Sequence, residues 1–161
     1  AFRYSTAGFV VAGDEEKTDL VYAGFDDSGQ LVGLAIEASG QGYADIIKIL
    51  YGYDPIKQVV VGFYVLESKE TPGLGDKIEK DLNFLANFKA LDVSLNEDLK
   101  SIKNIVIPVK QGAKKNPWEV DGITGATISS RAIGNIIGKS SQQWMPLIYQ
   151  YRAQFKIQSN D

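Results

Sequence analysis

Small and hydroxyl-bearing residues are concentrated in the stretch VDGITGATISSRA, residues 120–132, which continues into an apolar, helix-like segment. Helix N-termini present unpaired backbone N–H groups and a positive dipole end, so small residues ahead of one allow a phosphate to approach the main chain. The same composition suits a tight turn into a helix capped by Thr127, Ser129 or Ser130. Spacing alone therefore leaves both a phosphate site and an ordinary helix cap open.

The usual nucleotide signatures are missing from this stretch. No lysine follows the glycines, as a P-loop requires, and no G-x-G-x-x-G follows a strand in a βαβ unit. A phosphate site here would therefore be neither a P-loop nor a dinucleotide-binding fingerprint.

The chain contains neither histidine nor cysteine. Their absence excludes Ser-His-Asp and Cys-His catalysis, histidine or thiolate zinc sites, cysteine-bound iron–sulfur clusters and disulfides. Redox chemistry would have to come from an organic cofactor. The net charge of −3 resembles that of an ordinary soluble surface and gives no sign of nucleic-acid binding.

A second glycine-rich stretch, ETPGLGDKIE, occupies residues 70–79. Pro72 and Gly73 predict a type II turn, and Asp76 with Glu79 matches a capping box that would open a helix. Leu74 is apolar within this loop, so it could pack on a ligand or serve as a hydrophobic plug under the turn.

Taken whole, residues 120–132 resemble the attachment motif of the covalent FMN-binding domain family, D-x-x-T-G-A-T before a serine-rich helix start. The family includes the G subunit of Rnf-type electron transport complexes and the C subunit of the sodium-translocating NADH:quinone reductase. ETPGLGDKIE resembles the family's second hallmark, and SGQGYADII, residues 39–47, resembles its glycine-rich segment. ETPGLGDKI and SRA resemble the Rnf-type G subunit more closely than the quinone-reductase subunit.

The resemblance implies FMN held as a phosphoester on Thr127, placed there by a separate flavin transferase that uses FAD. It implies a cofactor site made of the residues around Thr127, of the 70–75 loop and of the glycine-rich segment. Asp121 would either serve recognition by the transferase or cap the turn. The expected site residues are Thr127, Asp121, Gly122, Thr124, Gly125, Ala126, Ile128, Ser129, Glu70, Thr71, Pro72, Gly73, Leu74, Gly75, Gly42 and Tyr43.

The function implied by the resemblance is that of an electron-transfer flavoprotein subunit of a membrane-bound, ion-translocating respiratory complex. Such a subunit would work with the other subunits of the complex and have no small-molecule substrate of its own. It would lie on the extracytoplasmic face of a bacterial membrane, attached through a segment not present in this chain. The alternatives are a non-redox ligand-binding or cell-surface module of the same fold and the flavin domain of a larger reductase.

The elements that must position this site form one domain. Two apolar runs around Asp26–Gly29 predict a hairpin, and residues 56–68 predict a strand covered on both faces at the centre of a sheet. From Ile128, apolar residues recur at intervals of three and four, which predicts a long helix. We expect an α+β fold with a mainly antiparallel sheet. Residues 1–19 would be a loosely held lead-in, 20–145 the FMN-binding domain and 146–161 a tail, either amphipathic or extended.

Five lysines and no acidic residue lie between Lys100 and Lys115. They could attract the FMN phosphate or an acidic partner subunit, or they could form a solvated face. Tyr43 could likewise stack on a ring or simply pack at the rim of the core.

Overall fold

A computed structural model describes residues 1–15 and 19–157 and shows a seven-stranded antiparallel sheet crossed by one long helix. The sheet order is β2-β1-β3-β4-β5-β6-β7, and β8 and β9 form a separate parallel pair. This confirms the predicted α+β class with a mainly antiparallel sheet. The elements are β1 (Phe2–Ser5), β2 (Gly8–Val11), β3 (Leu20–Phe25), β4 (Leu31–Gln41), β5 (Ile46–Asp54), β6 (Val59–Glu67), α1 (Leu82–Ala86), β7 (Leu91–Asp92), β8 (Ile107–Val109), β9 (Glu119–Asp121) and α2 (Thr127–Gln150), with 3-10 turns at Gly75–Glu79 and Arg152–Gln154.

The predicted hairpin is present, with β3 and β4 joined at Asp26–Gly29. The Asp26 carboxylate stabilises the turn by accepting hydrogen bonds from the backbone N–H groups of Ser28 (2.9 Å) and Gln30 (3.0 Å). β4 then pairs with β5, and β5 pairs with β6, so that four consecutive strands form a meander. Short connections between antiparallel strands give this arrangement directly.

The prediction that residues 56–68 form the central strand is wrong. β6 is the last long strand of the sheet, and β7 pairs only with its first two residues. Its outward side chains Val61, Tyr64 and Leu66 are exposed. The apolar residues at both even- and odd-numbered positions of β6 therefore do not indicate a strand that is covered on both faces. The central position belongs to β4.

The first residues are not loosely held, because β1 and β2 form a hairpin that joins the sheet through β3. Phe2 and Phe9 are buried against the other end of the chain. Their rings lie 5.1 Å and 4.7 Å, centroid to centroid, from that of Phe155. Their burial comes from partners about 150 residues away, which local sequence patterns do not reveal.

α2 packs its apolar face across the sheet, as the spacing of its apolar residues predicts. The buried side chains of this helix include Ala132, Ile133, Ile136, Ile137, Ser140 and Trp144. The hydroxyls of Tyr51 in β5 and Ser140 in α2 are hydrogen-bonded at 2.7 Å. The helix continues past Pro146 to Gln150, so the segment after residue 145 begins as helix rather than as a separate tail.

Two glycines of α2 allow close packing on the β8 segment. A Cβ on Gly134 would lie 3.1 Å from the Pro108 side chain, and one on Gly138 would lie 2.6 Å from the Val106 carbonyl oxygen. The helix therefore contacts β8 on one flank and β4 on another.

Candidate functional site

A cleft of about 330 Å³ lies at the N-terminal end of α2. Three chain segments form it: the turn after β4, the loop after β6 and the start of the helix. The lining residues are Tyr43, Glu70, Thr71, Leu74, Gly75, Gly125, Ala126, Thr127, Ile128 and Ser129. All ten are among the site residues expected from the sequence, and the structure places them together.

The start of α2 has no side-chain cap. Ala126 is the N-cap residue, and no side chain accepts a hydrogen bond there. In the described part of the chain, the N–H groups of Thr127, Ile128 and Ser129 donate to no protein acceptor. The hypothesis that Thr127, Ser129 or Ser130 caps the helix is therefore wrong. The side chain of Thr127 is exposed beside these free donors.

Ser130 instead fixes the chain that enters the helix. Its Oγ accepts a hydrogen bond from the Ile123 N–H (3.2 Å) and donates one to the Thr127 carbonyl oxygen (3.2 Å). Gly125 has φ +83°, and the Ala126 N–H donates to the Ile123 carbonyl oxygen at 3.0 Å. Glycine adopts this left-handed backbone without steric cost, so the turn brings the main chain close to the cleft.

Glu70 links the three segments of the cleft. It is only 6% exposed, and its carboxylate accepts hydrogen bonds from the N–H groups of Tyr43 (3.2 Å) and Ala44 (3.0 Å) in the β4–β5 turn. The same carboxylate accepts a short hydrogen bond from the Ser129 hydroxyl in the first turn of α2. One side chain thus ties the turn, the loop and the helix together.

The environment of Glu70 keeps it ionised. Burial raises the pKa of this carboxyl, but the hydrogen bonds from Ser129 and from the backbone of Ala44, Tyr43 and Asp45 outweigh burial and bring the pKa below its ordinary value. With these donors around it, the carboxylate serves as a structural acceptor rather than as a base open to the cleft.

Two glycines of the site allow Glu70 this position. A Cβ on Gly42 would lie 2.6 Å from Glu70 Oε1, and one on Gly75 would lie 2.7 Å from Ser129 Oγ. Gly75 is buried at the start of a 3-10 turn. Both positions need glycine because the walls of the cleft are in direct contact there.

The loop after β6 differs in part from its prediction. Gly73 has φ +77° and the Leu74 N–H donates to the Thr71 carbonyl oxygen at 3.1 Å, as expected for a type II turn over Pro72. The capping box of Asp76 and Glu79 is not formed: a 3-10 turn begins at Gly75 without a side-chain cap. The α-helix that follows is capped by Asp81, whose carboxylate accepts from the Phe84 N–H at 2.9 Å.

Side chains around the cleft opening are exposed and partly apolar. Tyr43 is 67% exposed, Leu74 53% and Ile128 54%. Leu74 is therefore not a buried plug under the turn, and its side chain faces the cleft opening. An exposed tyrosine and two exposed aliphatic residues around one concave site form a surface on which a planar ring can pack.

The remaining expected site residues lie outside the cleft lining. Asp121 accepts hydrogen bonds from backbone N–H groups of the 110–115 loop, and Thr124 donates its N–H to Gln111 Oε1 at 2.7 Å. A Cβ on Gly122 would lie 3.0 Å from the Val109 carbonyl oxygen. Pro72 and Gly73 shape the turn that carries Leu74, and Gly42 contacts Glu70 from behind.

Three residues that sequence analysis did not single out support the site. Asn87 accepts from the Asp121 N–H through Oδ1 (2.9 Å) and donates from Nδ2 to the Asp121 carbonyl oxygen (2.9 Å), which joins the end of α1 to β9. Gln111 anchors Thr124, and Lys77 Nζ lies 4.0 Å from where a Cβ on Gly125 would be. Their partners are distant in sequence, so no local signal identifies them.

Fold and site together define a class: a single-domain α+β protein with an uncapped helix start at the edge of an open cleft. The FMN-binding domain family model matches residues 42–141, which contain every part of the cleft. The chain belongs to this family.

Relatives and solved structures agree with this membership. The chain is 33% identical over 126 residues, 78% of its length, to the G subunit of the ion-translocating oxidoreductase complex of Methanosarcina acetivorans. It is 36% identical over 115 residues, 70% of its length, to the protein of the same name in Haemophilus influenzae. The matches cover 58% and 50% of these relatives, so the chain spans only about half the length of each.

The fold also matches known structures. NqrC of Shewanella oneidensis superposes with a TM-score of 0.61 at 25% identity, covering 83% of this chain and 60% of that one. The C subunit of the Na(+)-translocating NADH-quinone reductase of Parabacteroides distasonis gives a TM-score of 0.63 at 26% identity, covering 79% and 61%. The resemblance seen in the sequence motifs is thereby confirmed.

Within the described residues, no helix is both long enough and apolar enough to span a bilayer. Among these described residues, no group of three or more acidic side chains is arranged to bind a metal ion.

Proposed function

We propose that this protein is an electron-transfer flavoprotein that carries FMN as a phosphoester on Thr127. Its place would be in a membrane-bound, ion-translocating oxidoreductase complex, on the extracytoplasmic face of a bacterial membrane. Membership of the FMN-binding domain family and the names of its relatives support the cofactor and the complex. The observation that carries the attachment site is the exposed Thr127 hydroxyl at an uncapped helix start.

The residues present fit a phosphate ester at this position. Three consecutive N–H groups, from Thr127 to Ser129, have no protein acceptor in the described chain, and the positive end of a 24-residue helix lies behind them. Such a helix start stabilises a negatively charged phosphate. The Lys77 ammonium near Gly125 adds a further positive charge.

The open form of the cleft fits a carrier of electrons between proteins. Bound FMN would supply the redox chemistry, while Leu74, Ile128 and Tyr43 provide exposed surface for its ring. Glu70, the carboxylate in the lining, is occupied by hydrogen bonds from the backbone and Ser129. The site thus offers no obvious general base for a small substrate.

Attachment requires a partner enzyme, a flavin transferase that uses FAD. In this step the Thr127 oxygen forms a bond to the phosphorus of the FMN moiety, the pyrophosphate bond of FAD breaks, and AMP leaves with the hydroxyl proton. The protein gains the mass of FMN less one water. The exposed position of Thr127 leaves its hydroxyl accessible to such an enzyme.

Substitution of Thr127 tests the assignment. The protein is produced together with the transferase and exported, and its intact mass and visible spectrum are recorded after denaturation. Wild type is expected to be yellow with one FMN added, and Thr127→Ala is expected to be folded but to carry no covalent flavin. Thr127→Ser keeps a hydroxyl and tests whether the transferase accepts it.

Thr6→Ala is the matched control, because Thr6 is an exposed threonine in the turn between β1 and β2, outside the attachment motif and the cleft lining. It should retain the covalent flavin. Flavin that survives denaturation in Thr127→Ala, or its loss in Thr6→Ala alone, would contradict the assignment.

A further inference from the structure

The loop between β8 and β9 carries three lysines on a backbone of defined shape. We call residues 110–115 the lysine loop; its lysines are Lys110, Lys114 and Lys115. The Asp121 carboxylate accepts hydrogen bonds from the N–H groups of Gly112 (3.0 Å), Ala113 (3.2 Å) and Lys114 (3.3 Å). One carboxylate thus holds three successive amides of the loop.

A second carboxylate holds the other end of the loop. Glu119, which is 8% exposed, accepts from the Lys115 N–H (2.8 Å) and from Asn116 Nδ2 (2.7 Å). Hydrogen bonds from Lys115 and Asn116 lower the pKa of Glu119 against the effect of burial, so it stays ionised. Lys115 lies near this charge and is partly compensated by it.

Lys110 and Lys114 have no acidic partner in the described chain. The ion pairs there involve Lys48, Lys69 and Lys80. The Lys114 ammonium instead donates to the neutral amide oxygen of Asn87 at 3.3 Å. Both lysines are exposed, so their charges face solvent.

The lysine loop contacts the chain that leads into the cleft. Gln111 of the lysine loop accepts from the Thr124 N–H at 2.7 Å, directly before the cleft residues Gly125 and Ala126. Lys77 approaches Gly125 from the 3-10 turn after β6. The chain's charge is also uneven: residues 1–68 carry ten acidic and four basic side chains, whereas residues 69–161 carry ten and thirteen.

We propose that Lys77, Lys110 and Lys114 form a docking surface for the acidic face of a protein that exchanges electrons with the cleft. The inference rests on the proposed function, because it assumes that the cleft holds the redox group. Charges of one sign around a site steer a partner of opposite charge and raise its association rate by roughly 10- to 1,000-fold at low salt.

A protein suits this surface better than a lipid bilayer. Polybasic segments that bind anionic lipids use clusters of about four to eight lysines or arginines, more than the three lysines of this surface. A bilayer bound here would also place lipid headgroups over the cleft opening and keep a protein redox centre away from it.

A titration that needs no flavin tests the surface. The isotope-labelled chain is titrated with hexaglutamate at low ionic strength, and amide chemical shifts are followed. The lysine loop and Lys77 should shift. The Lys110→Glu/Lys114→Glu variant should weaken binding by roughly tenfold or more.

Lys57→Glu/Lys139→Glu is the matched control with the same change in net charge. Both lysines are exposed; Lys57 follows β5 at its far end, roughly 30 Å from the cleft, and Lys139 is roughly 18 Å along α2 from Thr127. This variant should change hexaglutamate binding by less than about twofold if the local surface decides the affinity. Equal weakening in both double variants would overturn the proposal, because only net charge would then matter.

Vesicles distinguish the membrane alternative. Wild type should not sediment with vesicles of phosphatidylserine and phosphatidylcholine. Sedimentation that the Lys110→Glu/Lys114→Glu variant abolishes, together with no loop shifts on addition of hexaglutamate, would overturn the proposal in favour of a lipid surface.

The flavin-loaded protein provides a kinetic test. Its reduced form is mixed with ferricyanide, an anion, or hexaammineruthenium(III), a cation, across a range of salt concentrations. The rate constant with ferricyanide should fall with salt and that with the ruthenium complex should rise, and the double lysine variant should reverse both trends. If mass and colour show that the protein carries no flavin, the proposed function is contradicted. If the flavin is present but the variant has the same salt dependence as wild type, the docking surface is contradicted.

Discussion

At the scale of single residues, Glu70 determines how the parts of the cleft meet. Its carboxylate accepts from the β4–β5 turn and from Ser129 in α2, while its own backbone belongs to the loop after β6. A buried carboxylate is stabilised by the hydrogen-bond donors around it. Removing either its charge or those donors leaves buried polar groups poorly paired. The site therefore depends on one side chain that need not contact the cofactor.

Glu70→Gln should destabilise the protein by about 1–3 kcal/mol, because the charge is lost and one amide NH₂ must face a backbone donor. The folded-state pKa of Glu70 is lowered. Its stability contribution is therefore present above the ordinary pKa of a glutamate and is lost as pH falls through the folded value.

Urea unfolding of wild type and Glu70→Gln at neutral pH and at pH 3 measures this contribution. The difference in the free energy of unfolding should shrink at the lower pH. A difference that stays constant across this range would show that the carboxylate charge of Glu70 is not what stabilises the cleft.

Asp121 shows how a motif residue can act through structure. Transferase recognition and turn capping are both compatible with its place in the sequence motif, and in the structure its carboxylate accepts hydrogen bonds from the N–H groups of Gly112, Ala113 and Lys114. A role in recognition by the transferase remains a prediction.

Asp121→Ala removes the acceptor of the Gly112 and Lys114 N–H groups and should speed hydrogen exchange of these amides by about tenfold or more, as expected when roughly 1–2 kcal/mol of local stability is lost. The Ala113 N–H also donates to the Lys110 carbonyl oxygen at 2.9 Å, so its exchange should change less. Amides in the buried centre of β5 should be unaffected. Unchanged exchange in the lysine loop would mean that Asp121 does not fix its shape.

At the scale of elements, the spacing between α2 and the sheet depends on Gly40. A Cβ there would lie 2.6 Å from Ile136 Cγ1 of the helix. Gly40→Ala should therefore cost about 1–3 kcal/mol through overpacking. Gly62→Ala in β6 is the control, since no neighbouring atom lies within 4 Å of the added methyl group.

Guanidinium unfolding of the two glycine variants is the measurement. Gly62→Ala should stay within about 0.5 kcal/mol of wild type. Equal stability of both variants would show that the helix shifts away from the sheet without cost.

Local sequence patterns predicted the elements that are specified by residues close together in sequence. The hairpin at Asp26–Gly29 follows from a turn sequence between apolar runs, and α2 follows from apolar residues at intervals of three and four over many turns. The two glycine-rich stretches and SGQGYADII identified all ten lining residues of the cleft. Their proximity, however, was implied by the resemblance to a family and not by spacing.

Features that depend on contacts between distant parts of the chain could not be predicted from local sequence patterns. The order of strands in the sheet is set by chain topology, so the apolar residues of β6 looked the same as those of a central strand. Asp81 rather than Asp76 caps α1 because a 3-10 turn intervenes. The N-terminal hairpin is ordered by aromatic residues near the other end of the chain.

At the scale of the whole molecule, the N-terminal hairpin packs against the end of α2 and the 3-10 turn that follows it. Phe9 packs against Phe155 and Trp144, and its N–H donates to Gln154 Oε1 at 2.7 Å. Gln154 Nε2 in turn donates to the Ala7 carbonyl oxygen at 3.1 Å. The hairpin and the segment after α2 are therefore far apart in sequence but pack into one cluster.

Phe9→Ala should destabilise the protein by about 3–5 kcal/mol, since it removes a buried aromatic ring from this cluster. Val11→Ala on the same hairpin, with its side chain 43% exposed, is the control and should cost less than about 1 kcal/mol. Thermal unfolding followed by near-ultraviolet circular dichroism measures both. Similar losses in the two variants would show that the cluster adds little to the stability of the hairpin.

The Glu70–Ser129 hydrogen bond has a consequence for the time at which the protein becomes ready for its cofactor. Fifty-nine residues separate its partners, and the helix start that bears Thr127 follows the other two segments of the cleft in the chain. During synthesis the chain therefore acquires two walls of the cleft before it acquires the proposed attachment residue. Under that proposal, cofactor loading would come after synthesis of α2, once the sheet and this helix have assembled.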